Sequence, residues 1–377
     1  MKEIKFNTPL YNPNTKKNVI RFLNQKKSIH GPGANILGLK KKIKKLYNFK
    51  HIHLTNSCTS ALEICALLIK LKPKDEVILP SYSFITTASS FARTGCSIKY
   101  CDIDKETLMP LFSDITKCVN KNTKAIVIVH YQGFSVNYLD KLKNFCKRKK
   151  IFLIEDAAQA FGSYFKKKPL GSFGDFSCFS FHETKNIHSG AGGMLVVNNL
   201  KYLPRSNIIF DKGSDRYLVI NKKQKYYSWV ENGSSFLLTE LSASYLLPQL
   251  HNYQNVINYR SRLYKRYVEN FSNWVSDEFY ICNNYIYKYN YHALVIILKK
   301  NNRDKLLDFL KKYKIYPFIG YIPLHQSKAG KKYLMKNQKL KNTNLYGNKT
   351  IRLPLHNKLN VTDIDFITNK IKSFFNK

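Results

Sequence analysis

The sequence predicts an α/β protein: a mostly parallel central sheet with helices on both faces, followed by a smaller C-terminal α/β domain. Three observations predict it. Short apolar runs alternate with helix-length segments through the first half of the chain, and such β–α repetition pairs strands in parallel. Thr59, Phe84, His130, Asp156 and Lys185 all fall at or just beyond the ends of those runs, where sheets of this kind bind ligands. The 377 residues, 44% hydrophobic and 23% charged, suffice for one large and one smaller core and exclude a disordered chain.

The elements follow in order. Residues 1–30 read as an extended arm with a short helix over 15–25, closed by His30-Gly31-Pro32-Gly33, where glycine and proline force a loop. A lysine-rich amphipathic helix is expected over 36–47. A short strand over 51–54 runs into Thr55-Asn56-Ser57-Cys58-Thr59-Ser60, and a helix starts at Ala61. Strand, small polar loop and helix N-terminus together offer amides and hydroxyls to an anion. Plain capping by Ser57 or Thr59 is the competing reading.

Next come a strand over 76–79, the turn Pro80-Ser81-Tyr82-Ser83-Phe84 and a helix over 86–94. A strand over 97–101 ends at Asp102-Ile103-Asp104, and 125–130 is a β-branched strand. The helix 137–149 leads to a strand over 151–154 that ends in Glu155-Asp156. A strand over 176–179 then enters Ser180-Phe181-His182-Glu183-Thr184-Lys185-Asn186. The glycine-rich turn Ser189-Gly190-Ala191-Gly192-Gly193 returns the chain into an apolar run over 194–197. A helix beginning around 241–250 is expected to carry the chain into the second domain, which divides it into 1–245, with the arm, and 246–377. The second part holds a strand near 293–297, a helix near 304–313, the loop Tyr321-Ile322-Pro323-Leu324-His325 and a terminal helix over 362–375. No GxGxxG follows the first strand, which removes support for a dinucleotide site.

Composition narrows the function classes. The net charge is +39, from 63 Lys and Arg against 24 Asp and Glu. Nucleic-acid binding is the obvious reading of such a charge. The lysines are spread over the whole length, without a basic tail, a zinc-finger pattern or an aromatic ribonucleoprotein signature, so a specific nucleic-acid partner is not expected. Weak binding that vanishes at moderate salt is. The charge also favours small anionic substrates. None of the eight cysteines forms a CxxC pair. They read as reduced, mostly buried thiols of a cytoplasmic protein, and no metal site is expected. No run reaches the length of a membrane span, and the first residues lack an apolar signal core.

A lysine at a turn between two buried strands is partly desolvated, which lowers its pKa and frees the amine as a nucleophile toward an aldehyde. A surface lysine on a hairpin loop is the competing reading for Lys185. The surrounding residues favour the first. Pyridoxal 5′-phosphate needs an imine-forming lysine, a carboxylate for its ring nitrogen, a cradle for its phosphate and an apolar face for its ring. Lys185, Asp156, Thr59 with Ser180, and Phe84 can supply these in turn.

These motifs carry a resemblance. The chain resembles the DegT/DnrJ/StrS family of nucleotide-sugar aminotransferases, with their aspartate-aminotransferase-like fold, over nearly its whole length. It is most similar to the branch making dTDP-4-amino-4,6-dideoxygalactose. The resemblance rests on Asp75-Glu76-Val77-Ile78-Leu79-Pro80-Ser81-Tyr82-Ser83-Phe84, Glu155-Asp156-Ala157-Ala158-Gln159, Phe179 to Asn186, Gly233-Ser234-Ser235 and Tyr321 to His325.

The resemblance implies that Lys185 anchors the cofactor covalently and moves the proton to the sugar carbon. It implies that Asp156 pairs with the ring nitrogen, Gln159 lies near the phenolic oxygen, Cys58, Thr59 and Ser180 hold the phosphate, and Phe84 stacks on the ring. Cys58 is expected to act through its backbone. Tyr321 and His325 are implied to contact the sugar or close the site. His182 and His188 are expected to pack or hydrogen-bond. The sequence departs from the family pattern twice: Ala191 stands where a glutamate is usual, and Ser235 where many relatives reach the partner subunit's phosphate with asparagine. Asn232 is a rival for that contact.

The implied protein is a cytoplasmic homodimer with its active site at the subunit interface. It takes the amino group of L-glutamate, through the pyridoxamine form of the cofactor, to C4 of a dTDP-4-keto-6-deoxyhexose for surface polysaccharide synthesis. Transfer to C3 of a 3-keto sugar and a gluco-configured product are the close alternatives. Dehydratases resembling this family carry a histidine in place of the lysine, and Lys185 argues against that chemistry.

Overall fold

The computed structural model describes residues 2–274, 277–282, 288–335 and 338–376. The strands are β1 (Ile52–Thr55), β2 (Glu76–Pro80), β3 (Ser97–Cys101), β4 (Thr123–Val129), β5 (Phe152–Asp156), β6 (Tyr164–Phe165), β7 (Lys168–Pro169), β8 (Phe176–Ser180), β9 (Gly193–Val197), β10 (Phe279–Ile281), β11 (Leu294–Leu298), β12 (Phe318–Ile319) and β13 (Thr350–Leu353). The helices are α1 (Pro13–Asn24), α2 (Ala34–Tyr47), α3 (Cys58–Leu68), α4 (Ile85–Ala92), α5 (Phe112–Cys118), α6 (Leu139–Lys149), α7 (Leu203–Phe210), α8 (Arg216–Ile220), α9 (Glu240–His251), α10 (Tyr253–Ser272), α11 (Arg303–Lys312), α12 (Lys341–Gly347) and α13 (Val361–Phe375).

Seven strands form the large sheet in the order β1-β9-β8-β5-β4-β2-β3. Every pair from β8 to β3 is parallel, and β9 alone runs against both neighbours. The mostly parallel sheet is as the β–α repetition implied. Successive side chains of a strand point to opposite faces, and here both faces are apolar. Ile126, Ile128, Leu153 and Val196 enter one core with α2, α6 and α9. Ala125, Val127, Ile154 and Leu195 enter the other with α3 and α4. Covering both faces leaves the strand ends as the places where polar side chains gather.

The second sheet runs β10-β11-β13-β12, with every pair antiparallel. Val295 and Ile297 of β11 pack into the large core, while Leu294, Ile296 and Leu298 join α10, α11 and α13 in a third core. Position 245 lies inside α9. The change of cores comes later, within α10: Ile257 packs with the large core and Leu263, Tyr267 and Phe271 with the small one. The boundary read at 245/246 therefore cuts a continuous helix, because α9 is an apolar cover for the large domain as much as an exit from it.

Two caps fix the ends that matter. Ser57 rather than Thr59 caps α3, its hydroxyl accepting from the Ser60 amide at 3.0 Å. The helix therefore begins at Cys58, three residues before the expected start. The buried Glu240 carboxylate accepts from the amides of Gly33, Asn35 and Ile36 at 2.7–3.0 Å. A carboxylate among the free amides of a helix N-terminus satisfies donors that the helix cannot, and it ties α9 to α2.

Candidate active site

Lys185 sits in the loop joining β8 to β9, as the two apolar runs implied. That loop is held by its own backbone: Phe181 N to Gly192 O at 2.8 Å, Glu183 N to Gly190 O at 2.9 Å and Lys185 N to His182 O at 2.9 Å. Its side chain turns inward, into a pocket lined by Ala158, Gln159, Ser180, Asn290 and His292. Among the described residues the Lys185 ammonium has no hydrogen-bond or ion-pair partner. Burial, and then the nearby charge of Arg352, lower its pKa to about 8, against weaker support from Cys58 and Asp156. Selective reductive alkylation of Lys185 by a small aldehyde, followed by peptide mass spectrometry, is expected to rise about fivefold from pH 7 to pH 8, about tenfold in all by pH 9, and to level off above. A rise that continues to pH 10 would show an ordinary lysine.

Asp156 closes β5 at 5% exposure. Its Oδ2 accepts from Thr87 Oγ1 at 2.7 Å and its Oδ1 from the Ala158 amide at 3.2 Å. Burial pushes its carboxyl above the ordinary range, against those two bonds and the charge of Lys185. Among the described residues no cation comes within ion-pair distance of it. Thr87 lies one turn into α4, and its amide bonds the Phe84 carbonyl at 3.0 Å. The same turn thus orients the Asp156 carboxylate and presents the Phe84 ring, which is 54% exposed and 6.2 Å from the Tyr321 ring.

Cys58 and Thr59 are the first two residues of α3, so their amides have no partner in a preceding turn. Burial raises the Cys58 thiol well above its usual pKa, which fits a backbone role rather than a nucleophile. Ser180 lies opposite Gly193 in the β8–β9 pair. A Cβ on Gly193 would stand 2.4 Å from the Ser57 carbonyl carbon and 2.5 Å from the Cys58 amide nitrogen. Only glycine lets the strand approach the helix N-terminus this closely. Gly193→Ala is expected to cost about 1–3 kcal/mol and to weaken phosphate-dependent cofactor binding at least tenfold. An unchanged dissociation constant in an absorbance titration would count against a cradle here.

Gln159 is clamped at both ends: its Oε1 accepts from the Gln132 amide at 2.7 Å and its Nε2 donates to the Tyr321 hydroxyl at 2.5 Å. Tyr321 is thereby brought to the site. His325 is not. Its Nδ1 pairs with Ser81 Oγ at 2.6 Å and its Nε2 with Asn344 Oδ1 at 2.8 Å, so both ring nitrogens are taken and the side chain is buried. The expected sugar contact gives way to a clamp that holds the Tyr321 loop against the end of β2. His188 is buried, its Nε2 on the Leu10 carbonyl at 3.1 Å, and His182 is exposed beside Thr184. Both have packing or hydrogen-bonding roles, as expected. His130 is buried against Glu155 at 2.8 Å.

Ser235 and Asn232 are exposed. The Ser235 carbonyl accepts from Asn56 Nδ2 at 3.2 Å, next to the α3 cap. Ala191 is exposed, and its carbonyl accepts from Ser189 Oγ at 2.9 Å.

Residues from far along the chain complete the site. Asn290 bonds the carbonyls of Gln159 and Phe161 at 2.7 and 3.1 Å, and its own carbonyl accepts from Asn186 at 2.6 Å. His292 faces Asn186 at 3.2 Å. Thr87, Asn290, His292 and Arg352 carry no sequence signal that marks them. Among the described residues, an amine without a partner, a buried carboxylate without a counter-cation, helix-start amides without a partner and an exposed aromatic face are the set that pyridoxal phosphate needs, so the residues fit this group.

Comparison with known proteins agrees. The sequence profile described as the DegT/DnrJ/EryC1/StrS aminotransferase family matches residues 11–372. GDP-perosamine synthase of Vibrio cholerae is 26% identical, over 98% of this chain and 99% of that protein. The dTDP-4-dehydro-2,3,6-trideoxy-D-glucose 4-aminotransferase of Saccharopolyspora spinosa is 26% identical, over 84% of this chain and 82% of that one. The structure of PseC from Helicobacter pylori, an aminotransferase involved in the biosynthesis of pseudoaminic acid, superposes with a TM-score of 0.91 at 24% identity over the whole of both chains.

Proposed function

The chain belongs to the DegT/DnrJ/EryC1/StrS aminotransferase family, and from that premise we propose that it moves the amino group of L-glutamate to C4 of a dTDP-4-keto-6-deoxyhexose. Membership makes it a pyridoxal phosphate-dependent sugar aminotransferase. The sugar, the nucleotide and the donor are our reading. The observation that carries it is the Lys185 amine, buried between β8 and β9 without a hydrogen-bond or ion-pair partner among the described residues, together with the buried Asp156 carboxylate, which Thr87 and Ala158 orient and which no cation among those residues pairs.

When bound, the cofactor supplies an electron sink for carbanionic charge at the reacting carbon. The chain's residues do the rest. Lys185 Nζ, with a pKa near 8, takes a proton in its neutral form and returns it to the sugar carbon, the side of delivery setting the product's configuration. Asp156, fixed by Thr87 and Ala158, would keep the ring nitrogen of the bound cofactor protonated. The first amides of α3, with Thr59 and Ser180, would hold its phosphate, and Phe84 would supply an apolar face for its ring. Gln159, locked by Gln132 and Tyr321, would serve its phenolic oxygen.

A homodimer is part of the proposal. It is supported by the exposed aromatic segment Tyr226, Tyr227 and Trp229 and by Ser235 and Asn232 standing free at the surface, able to reach a partner's phosphate. Cytoplasmic placement is proposed on the family; among the described residues no helix is long and apolar enough to cross a membrane. A role in surface polysaccharide synthesis follows from the same reading of the sugar.

The test is incubation of the protein with cofactor, L-glutamate and dTDP-4-keto-6-deoxyglucose, with NMR of the product and a GDP-linked keto sugar in parallel. An axial 4-amino product is expected. Amination of the GDP-linked sugar alone, or at C3, would overturn the substrate while leaving the class intact.

A further inference from the structure

The lysine cavity holds a second unmatched group. His292, just before β11, lines it together with Lys185, Asn186, Gln159 and Ser180. The cavity is about 10 Å³, room for one water and for no substrate. His292 is 6% exposed, and its backbone is fixed on both sides. Its amide donates to Asn290 Oδ1 at 3.1 Å, and its carbonyl accepts from the Arg260 guanidinium at 2.7 Å.

The neighbours decide which ring nitrogen carries the hydrogen. Asn186 Nδ2 donates to the Asn290 carbonyl at 2.6 Å. A flipped amide would set two oxygens at that distance, so Asn186 presents its Oδ1 to His292 Nδ1, 3.2 Å away. An amide oxygen only accepts, and Nδ1 is therefore the N–H. Burial, and then the charges of Lys185, Arg352 and Arg260, hold the ring well below the usual histidine pKa. The ring is neutral, and Nε2 is a lone-pair acceptor. No hydrogen bond among the described residues engages Nε2. The other side-chain acceptors of the cavity are engaged: Gln159 Oε1 by the Gln132 amide at 2.7 Å, Asn290 Oδ1 by the His292 amide and Ser180 Oγ by the His182 amide at 3.2 Å. Lys185 brings donors without a partner, and His292 an acceptor without one.

We infer that His292 is a positioning residue for Lys185: its Nε2 accepts a hydrogen bond from Lys185 Nζ whenever that amine is not bonded to the cofactor, and keeps the freed lysine aimed. This rests on the aminotransferase reading above, in which Lys185 releases the cofactor and takes it back in each cycle. Both groups line a cavity that holds one water, so rotation of the flexible four-carbon stem closes the gap. A neutral acceptor holds the amine without adding a charge to the site. Asn186, next to Lys185 in the loop, takes part by fixing the tautomer.

Substitution can separate the two nitrogens. A glutamine amide reaches the place of Nε2, and an asparagine amide the place of Nδ1. His292→Gln thus keeps the acceptor for Lys185, and His292→Asn keeps only the bond to Asn186. In the cofactor-free protein, the midpoint of Lys185 alkylation is expected to fall by about one pH unit in His292→Asn, where the ammonium loses its acceptor. It is expected to stay near the wild-type value in His292→Gln. Capture of added pyridoxal 5′-phosphate, followed by absorbance at pH 9.5 where the amine is neutral in every variant, is expected to slow about tenfold in His292→Asn and far less in His292→Gln. Affinity for pyridoxamine 5′-phosphate, which forms no bond to the lysine, should be unchanged in both. Nitrogen NMR of the wild type is expected to show hydrogen on Nδ1 and none on Nε2, and it carries the test should the variants not fold. Hydrogen on Nε2, equal behaviour of the two variants, or an impaired glutamine beside an intact asparagine variant would overturn the inference. A wild type that captures no pyridoxal phosphate would sink the aminotransferase reading, while the alkylation midpoints would still decide the hydrogen bond.

Discussion

Lys185→Ala is expected to lower turnover by about 10²–10⁴-fold, the usual worth of a positioned proton-transfer group. Lys185→Arg is expected to be as inactive. Arginine keeps the charge but cannot become neutral in a protein, and the role requires a neutral amine near pH 8. Single-turnover mixing with L-glutamate, followed by cofactor absorbance, checks both variants. A Lys185→Arg variant retaining a tenth of the wild-type rate would refute the role.

Stability should move the other way. The Lys185 pKa is lowered to about 8 by burial, against 10.5 in the unfolded chain, so the folded state resists the charged form. The penalty is fully present below pH 8 and disappears as pH rises through 10.5. Lys185→Met fills similar space without the charge. It is expected to stabilise the cofactor-free protein by on the order of 2 kcal/mol at pH 7, after discounting for partial exposure, and by less at pH 9. Urea midpoints at the two pH values measure this. A variant that loses activity and gains stability has lost a working group, not a packing contact.

The sequence reading located the site's near residues because each follows a strand end on a run of apolar side chains. Asp156 after 151–154, Lys185 after 176–179 and Thr59 after 51–54 are local signals, and the parallel sheet converts that shared position into proximity. The sheet order itself, with β9 inserted antiparallel between β1 and β8, has no local signal. Neither does Thr87 on Asp156, which depends on β2 and β5 being separated by one strand. Asn290, His292 and Arg352 arrive from more than 100 residues beyond Lys185, and their neighbours in sequence are ordinary small-domain strands and loops. His325, expected to contact the sugar or close the site, shows the same limit: the engagement of both its ring nitrogens by Ser81 and Asn344 has no local signal. The longest helix, α10, was also missed. Val256, Arg260, Leu263, Tyr267 and Phe271 follow helical spacing on its buried face, but the asparagines and tyrosines between them blur the apolar stripe.

Glu155→Ala is expected to cost at least 4 kcal/mol and to leave little folded protein. The carboxylate has no exposure and accepts five bonds. They come from the amides of Gly171, Phe173 and Gly174 at 2.8, 2.7 and 2.7 Å, from Ser177 Oγ at 3.0 Å and from His130 Nε2 at 2.8 Å. Removing it strands those donors in the core at about 1–3 kcal/mol each, a total comparable with the whole stability of a typical domain. The position matters for function because Glu155 immediately precedes Asp156 and pins the 171–174 turn that feeds β8 and so Lys185. Glu155→Gln keeps an acceptor of the same shape and is expected to cost about half as much.

The pH dependence separates this carboxylate from mere packing. Burial alone would raise its pKa, but the bond and charge of His130 and the Gly174 and Gly171 amides outweigh it, leaving the value lowered. A lowered carboxylate stabilises the fold above its unfolded pKa, near 4.3, and loses that contribution as pH falls through the lower folded value. Wild-type urea midpoints should therefore drop between pH 5 and pH 3 by more than those of Glu155→Gln, which has no proton to bind there. Parallel curves, or a Glu155→Ala variant within 1 kcal/mol of wild type, would mean that the five bonds do not hold the turn and that Asp156 and Lys185 owe their placement to the sheet alone.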